Sequence, residues 1–360
     1  MSNFDLTTIK KILIVKMSSI GDVIHALPTL AVLRKNFPQA HITWVVEPKA
    51  YDVVRSHPDI DEVILLDLNT IGKKLAKPAT LSQGLTEISK LAKRMRQGNY
   101  DLVLDLQGLL KSGLISYFTK APIRLVYCIN REGSGLLATH RVPANPESHH
   151  VIQKCLDTAR YLGLQIDEED THQFKIAILP EDEEFAHDFL ASQGVNEGDV
   201  LVGLNPGAAW PTKQWPPEKF ARLADLLIEK HGCKVLIFGG PGDRPMFESI
   251  VSQMKQQPIV AGGKTSLKQL GALIKRCRVF VGSDTGPMHI AVAVKTPVVA
   301  IFGPTDPHYS GPRNPQDLVV SKSLSCSPCF KVKKCPKGPG IPCIEAIEPE
   351  DVLEAIEKLL

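Results

Sequence analysis

The sequence predicts an α/β chain of two domains, each a parallel sheet covered by helices. Three observations predict it. Short runs dominated by Val, Ile and Leu read as strands buried on both faces. Helical patterns separate them, an alternation that favours parallel sheets. The alternation occurs twice, on either side of an acidic, proline-containing stretch near residues 165–182, and 360 residues suffice for about two domains.

In the first series the strands are "KILIVKM", "ITWVVE", "EVILLD", "DLVLDLQ" and "IRLVYC", with helical patterns at Thr29–Asn36 and Leu85–Arg96. In the second, "VLVGLNPG" precedes a helix at Pro217–His231. "KVLIFGG" precedes Arg244–Lys255, "VFVGSD" precedes Pro287–Val294, and "PVVAIFG" follows. "IEPEDVLEAIEKLL" is a last helix, started by Glu348 and Pro349. The expected division is 1–175 and 176–345, two Rossmann-like domains facing a cleft, with a helix at 346–360 packing back toward the first domain.

Composition narrows the function. A formal net charge of +3 is too small for a nucleic-acid-binding surface. The start "MSNFDLTTIKK" lacks the apolar core of a signal peptide, and no run approaches the roughly 18 apolar residues of a membrane span. The expected location is cytoplasmic, with reduced cysteines. There is no Walker A motif, and "FGGPGD" does not match the dinucleotide fingerprint.

Ligands of open α/β sheets collect beyond the carboxyl ends of strands, and four such ends carry unusual residues. In "MSSIGD", Gly21 permits close backbone approach or positive φ, Ser18 and Ser19 can donate hydrogen bonds, and Asp22 is either a helix cap or a general base. His25, one turn on, reads as a packed histidine. In "NPGAAWPTKQWP", Lys213 is the single charge. It is either a solvated lysine or a cation for a leaving diphosphate, and Trp210 and Trp215 either shape a pocket or anchor the loop. In "FGGPGDRP", Asp243 caps a helix or accepts from a ribose or base. In "VGSDTGPMHIAVAV", Ser283, Asp284, Thr285 and Gly286 precede a helix whose free amides suit a phosphate, with His289 in its first turn. Thr305 and Asp306 follow the next strand.

Taken together, "SSIGDVIHALP", "NPGAAWPTKQWP" and "SDTGPMHIAVAVKTPVVAIFGPTDP" resemble the family-nine glycosyltransferases, the bacterial lipopolysaccharide heptosyltransferases. "LQGLLKSGLIS" and "REGSGLLATHRV" are most similar to the members that add the first heptose. The resemblance spans roughly residues 10–320. It implies a GT-B architecture and inverting transfer without a catalytic metal. Heptose would move from ADP-L-glycero-D-manno-heptose to Kdo-lipid A. It places Asp22 as general base and Lys213 on the donor phosphates. Asp284, Thr285, Gly286 and His289 fall on the diphosphate and heptose loop, and Asp243 on the ribose. It further implies an N-terminal acceptor surface. Ser19, Gly21, Lys73, Lys74, Lys77, Lys111 and Arg131 are its candidates, on an enzyme peripheral to the anionic cytoplasmic face of the inner membrane. Another acceptor, including a protein, another nucleotide-sugar, or an epimerase of the same architecture remain alternatives.

Cys326, Cys329, Cys335 and Cys343 have the spacing C-x2-C-x5-C-x7-C. They read either as ligands of a structural zinc or iron or as thiols of a reduced, proline-rich loop.

Overall fold

A computed structural model describes residues 4–360. The chain divides into two compact units, Met1–Ala177 and Ile178–Leu360, the boundary falling inside the acidic stretch.

The first unit is a six-stranded sheet of β1 (Lys11–Val15), β2 (His41–Val46), β3 (Glu62–Leu65), β4 (Leu102–Asp105), β5 (Ile123–Val126) and β6 (His140–Arg141). The order is β3-β2-β1-β4-β5-β6, and every pairing is parallel. The second unit repeats that order with β7 (Leu201–Asn205), β8 (Lys234–Ile237), β9 (Ile259–Val260), β10 (Val279–Ser283), β11 (Val298–Phe302) and β12 (Leu318–Ser321), as β9-β8-β7-β10-β11-β12. In each sheet the order reverses beside the first strand, between β1 and β4 and between β7 and β10. A crevice opens at such a point because neighbouring connections leave on opposite faces. Val15 lies level with Asp105, and Gly282 with Asn205, so the sequences after β1 and β4, and after β7 and β10, emerge together.

Central strands are apolar on both faces: Ile12, Leu13, Ile14 and Val15 are fully buried, as are Val298, Val299 and Ala300. The helix after β1 runs Ile20–Asn36, beginning nine residues before the expected Thr29. Pro28 lies inside it. A proline there forfeits one hydrogen bond, but the residues around it, from Val23 to Leu33, are almost all buried, and packing holds the helix.

The last helix, Pro349–Glu357, has its apolar face in the second unit. Val352, Leu353 and Ile356 are buried in one cluster with Trp215, Phe220 and Leu227 and with Val299 and Ile301 of β11. The helix is therefore built into the core of the second unit. Trp215 strengthens the join, its indole Nε1 donating to Ile347 O at 3.0 Å.

Candidate active site

The first group of residues lies at the carboxyl ends of β1 and β4. Asp22 is both a cap and an accessible carboxylate. Its Oδ2 accepts from Ser19 N at 3.1 Å and Ser19 Oγ at 2.7 Å, closing the first turn of its own helix. Yet the side chain is 44% exposed, open to an incoming hydroxyl. Of the two uses open to Gly21, close approach or positive φ, the second is not taken: it is buried in that helical first turn.

Lys16 was not legible as a site residue, because it sits inside an apolar strand run. It is buried, donates to Leu106 O at 2.8 Å, and places Nζ 3.9 Å from Asp22 Oδ1. Below it, Gln107 Oε1 accepts from Met17 N and Ser18 N at 3.0 and 3.1 Å, tying the two strand-end loops together. Asp105 holds the second loop by accepting from Gln107 N, Gly108 N and Ser112 Oγ. Burial pushes the Asp105 carboxyl up to about 6, against the pull of those hydrogen bonds and of Lys16. Gly108 has φ of 68°, and a Cβ there would stand 2.3 Å from Ile129 O, so the loop requires glycine.

The acceptor candidates are dispersed. Lys111 is engaged with Glu47 at 2.6 Å. Arg131 is exposed, with its backbone N donating to Gly108 O at 2.8 Å, which brings it to the same loop cluster. Lys73 and Lys77 are exposed off the end of β3, whereas Lys74 pairs with Glu87 and Arg94 with Glu62. The run is thus partly neutralised internally. His25 is buried and packs edge-on against His150, as expected of a packed histidine.

The second group lies at the carboxyl ends of β7, β8, β10 and β11. Lys213 ends a short turn, Pro211–Lys213, and its Nζ donates to Asp284 O at 3.0 Å and Asp284 Oδ2 at 2.6 Å. The ammonium also lies 4.3 Å from the Trp210 ring centroid, a cation–π contact. The tryptophans divide their labour: Trp210 steadies the lysine and Trp215 anchors the loop in the core. His289 Nε2 stands 3.4 Å from Asp284 Oδ1, and Ser310 Oγ donates to Oδ2 at 3.3 Å. Burial opposes ionisation of Asp284, but the His289 hydrogen bond and the Lys213 charge outweigh it. The carboxyl is held well below its usual range.

Thr285 is the N-cap of the helix Gly286–Ala293, whose first amides face this cluster's loop. Around it, Asn205 Oδ1, Ser283 Oγ and Thr305 Oγ1 are buried without a protein partner. These three at adjoining strand ends are polar groups that a ligand there would meet. Asp243 accepts from Gly240 N at 2.8 Å, and a Cβ on Gly207 would come within 2.4 Å of its Oδ2. The carboxylate therefore lies against the β7 loop, beside an open groove lined by Arg244, Phe247 and Lys264.

The four late cysteines line one small cavity. Among the described residues, no group of three or more His, Cys, Asp or Glu side chains is placed to hold a metal ion, so the expected cysteine ligand set is not seen. All eight cysteines are free thiols.

The model of glycosyltransferase family 9 (heptosyltransferase) matches residues 88–339. Lipopolysaccharide heptosyltransferase 1 of Pseudomonas aeruginosa is 28% identical, over 91% of this chain and 88% of its own. Lipopolysaccharide heptosyltransferase 2 of Escherichia coli is 26% identical, over 97% and 98%. The crystal structure of a family 9 glycosyl transferase from Veillonella parvula superposes with a TM-score of 0.80 at 29% identity, covering 97% of each chain.

Proposed function

Because the chain belongs to glycosyltransferase family 9, and is therefore a GT-B enzyme of the heptose-transferring class, we propose that it moves L-glycero-D-manno-heptose from ADP-heptose to the Kdo residue of Kdo-lipid A. The observation that carries this reading is the Lys213–Asp284–His289 cluster, set among the orphaned polar atoms at the switch point of the second sheet. A fixed cation and unpaired helix amides are what a departing diphosphate needs.

The proposed chemistry assigns each group a role. Asp22 accepts the proton of the acceptor hydroxyl as its oxygen bonds to the anomeric carbon. The bond from that carbon to the diphosphate oxygen breaks, and ADP leaves with the electron pair. Lys213 and the amides of the helix Gly286–Ala293 hold its charge. Ser283, Asp284, Thr285, Gly286 and His289 line the donor, and Asp243 takes the ribose. Ser19, Gly21, Lys73, Lys77, Lys111 and Arg131 form the acceptor side, with Lys74 contributing after release from Glu87. The transfer itself uses no metal. Among the described residues no helix is long and apolar enough to cross a membrane. We assign the enzyme a peripheral position on the anionic cytoplasmic face of the inner membrane.

Incubation with ADP-heptose and Kdo2-lipid A, followed by mass spectrometry, tests the reading; one added heptose is the expected product. Similar relatives carry the names heptosyltransferase 1 and 2, so an already heptosylated inner core is offered in parallel. Transfer only to that core moves the enzyme one step along. Conversion of the sugar without any acceptor identifies an epimerase. Asp22→Ala is expected to lose transfer by at least about a hundredfold while keeping ADP affinity; full turnover by that variant removes Asp22 from the mechanism.

A further inference from the structure

The helix Leu110–Thr119 carries its polarity the wrong way round for a helix on the outside of an α/β unit. Ser112, Ser116 and Thr119 are buried, whereas Leu110, Leu114 and Tyr117 are exposed. The exposed three recur at i, i+4 and i+7 and so form one face. The inward polar groups have uses: Ser112 Oγ donates to Asp105 Oδ2 at 2.9 Å, and Thr119 Oγ1 to Ser116 O at 2.6 Å. Contact with water gives the outward face no comparable reason to be apolar.

Neighbouring residues extend that face. A Cβ on Gly113 would stand 3.2 Å from Ser134 Cβ, so glycine lets the turn Ser134–Leu136 close against the helix. Leu136, at the end of that turn, is 78% exposed. The helix also packs with Leu81–Gln97, whose Leu91 and Met95 share a buried cluster with Ile115. Leu81 and Leu85, one turn apart, are exposed at the start of that second helix. One helix leads into β4 and the other leads away from it. Helices that connect parallel strands run antiparallel to them, so both begin at the carboxyl end of the sheet. Asp22 and the loop after β4 lie at that same end.

The charge around the leucines has one sign. Residues 68–97 hold seven Lys and Arg against a single acid, Glu87, and residues 106–120 add Lys111 and Lys120 and no acid. Lys73, Lys77, Lys90, Lys93 and Lys120 are exposed, and Lys120 Nζ lies 3.6 Å from the centroid of the Tyr117 ring. A second copy of the chain suits this face poorly, because a symmetric contact would set cation against cation. A partner that is apolar at depth and negative at its edge suits both features. An anionic bilayer is such a partner.

We propose that this end of the first unit docks on an anionic bilayer. Leu81, Leu85, Leu110, Leu114 and Leu136 enter the boundary between head groups and acyl chains. Tyr117 and Lys120 flank them at the level of the head groups, which the surrounding lysines meet. Charge alone would give binding that salt removes, whereas the leucines supply a part that salt leaves. The docking surface follows from exposure and charge without any assigned activity. That it brings a lipid-anchored acceptor to Asp22 rests on the proposed transfer.

The full-length protein is sedimented with vesicles of phosphatidylglycerol and phosphatidylcholine. Wild type is expected to bind them and to keep part of that binding in high salt. Leu81→Gln, Leu85→Gln, Leu110→Gln and Leu114→Gln together should cut vesicle affinity at least about tenfold. The pair Phe330→Gln and Val332→Gln, exposed among lysines in a loop of the second unit, should not change it. Equal binding by the leucine variant, or loss on the loop pair instead, overturns the surface. So does a dimer, seen by sedimentation velocity without lipid, that the leucine changes abolish. Should the fourfold variant not fold, Leu136→Trp reports on the same surface. Its added emission is expected to shift to the blue on vesicles and to be quenched by brominated acyl chains; an indole left in water overturns the proposal. Activity is separated from docking by the acceptor. With Kdo2-lipid A in vesicles the leucine variant should lose about tenfold in kcat/KM, and with a deacylated acceptor nothing. If wild type uses neither acceptor, the transfer reading fails, while vesicle binding still decides the surface.

Discussion

Asp105 and Asp284 are both buried carboxyls, and they respond to pH in opposite ways. Asp284 has cationic neighbours, so its folded pKa lies below the unfolded value. Its contribution to stability is present above about pH 4 and is lost only in stronger acid. Asp105 is raised to about 6 from an unfolded value near 3.8. The advantage of its neutral form is complete below about pH 4 and disappears as pH rises through 6. By linkage this amounts to roughly 2–3 kcal/mol across that window. Asp105→Asn should therefore flatten the pH dependence of unfolding between pH 4 and 6, measured by urea titration at several pH values. An unchanged slope would show that Asp105 titrates elsewhere. Asp317, also near 6 through burial, lies in the second unit, so its share of the slope should survive the substitution. None of this was legible in the sequence. Asp105 reads there as one polar position in "DLVLDLQ", and its environment comes from the parallel neighbours that bury it.

Elements carried more of the signal. The central strands announced themselves through β-branched and leucine runs, and the strand-end glycines pointed to loops of close approach. The short edge strands β6, β9 and β12 did not, because two to four half-exposed residues leave no periodic pattern. The loops were recognisable as sites, but the contacts between loops were not. Gly207 and Asp243 show this: each was assigned to its own strand end, and only folding puts the carboxylate where a Gly207 side chain would be. Gly207→Ala is expected to push Asp243 away and weaken ADP binding about tenfold. In an Asp243→Ala background, which removes the clash, the same change should cost little further affinity. Isothermal titration of the four proteins closes the cycle. Additive losses would mean that the two loops act independently.

At the scale of the whole chain, the two units share one strand order, and the sequence conveyed that through its doubled alternation. The core that takes up the last helix was not legible, for a physical reason. Amphipathic periodicity states that Val352, Leu353 and Ile356 need a partner without saying which one. The partner is the second unit's core, where Ile356 is fully buried beside the helix Pro217–His231 and β11. The terminal helix is therefore a stability element of the unit that carries Lys213. Ile356→Ala leaves a cavity and should remove about 2–5 kcal/mol, all of it from that unit. Hydrogen exchange resolves the two units by peptide. Faster exchange is expected throughout β7, β10 and β11, with β1 and β4 unchanged. Because Trp215 joins the same core to the lysine's loop, exchange should also rise in residues 206–214. Unchanged exchange in β7, β10 and β11 would show that the helix is not a stability element of that unit.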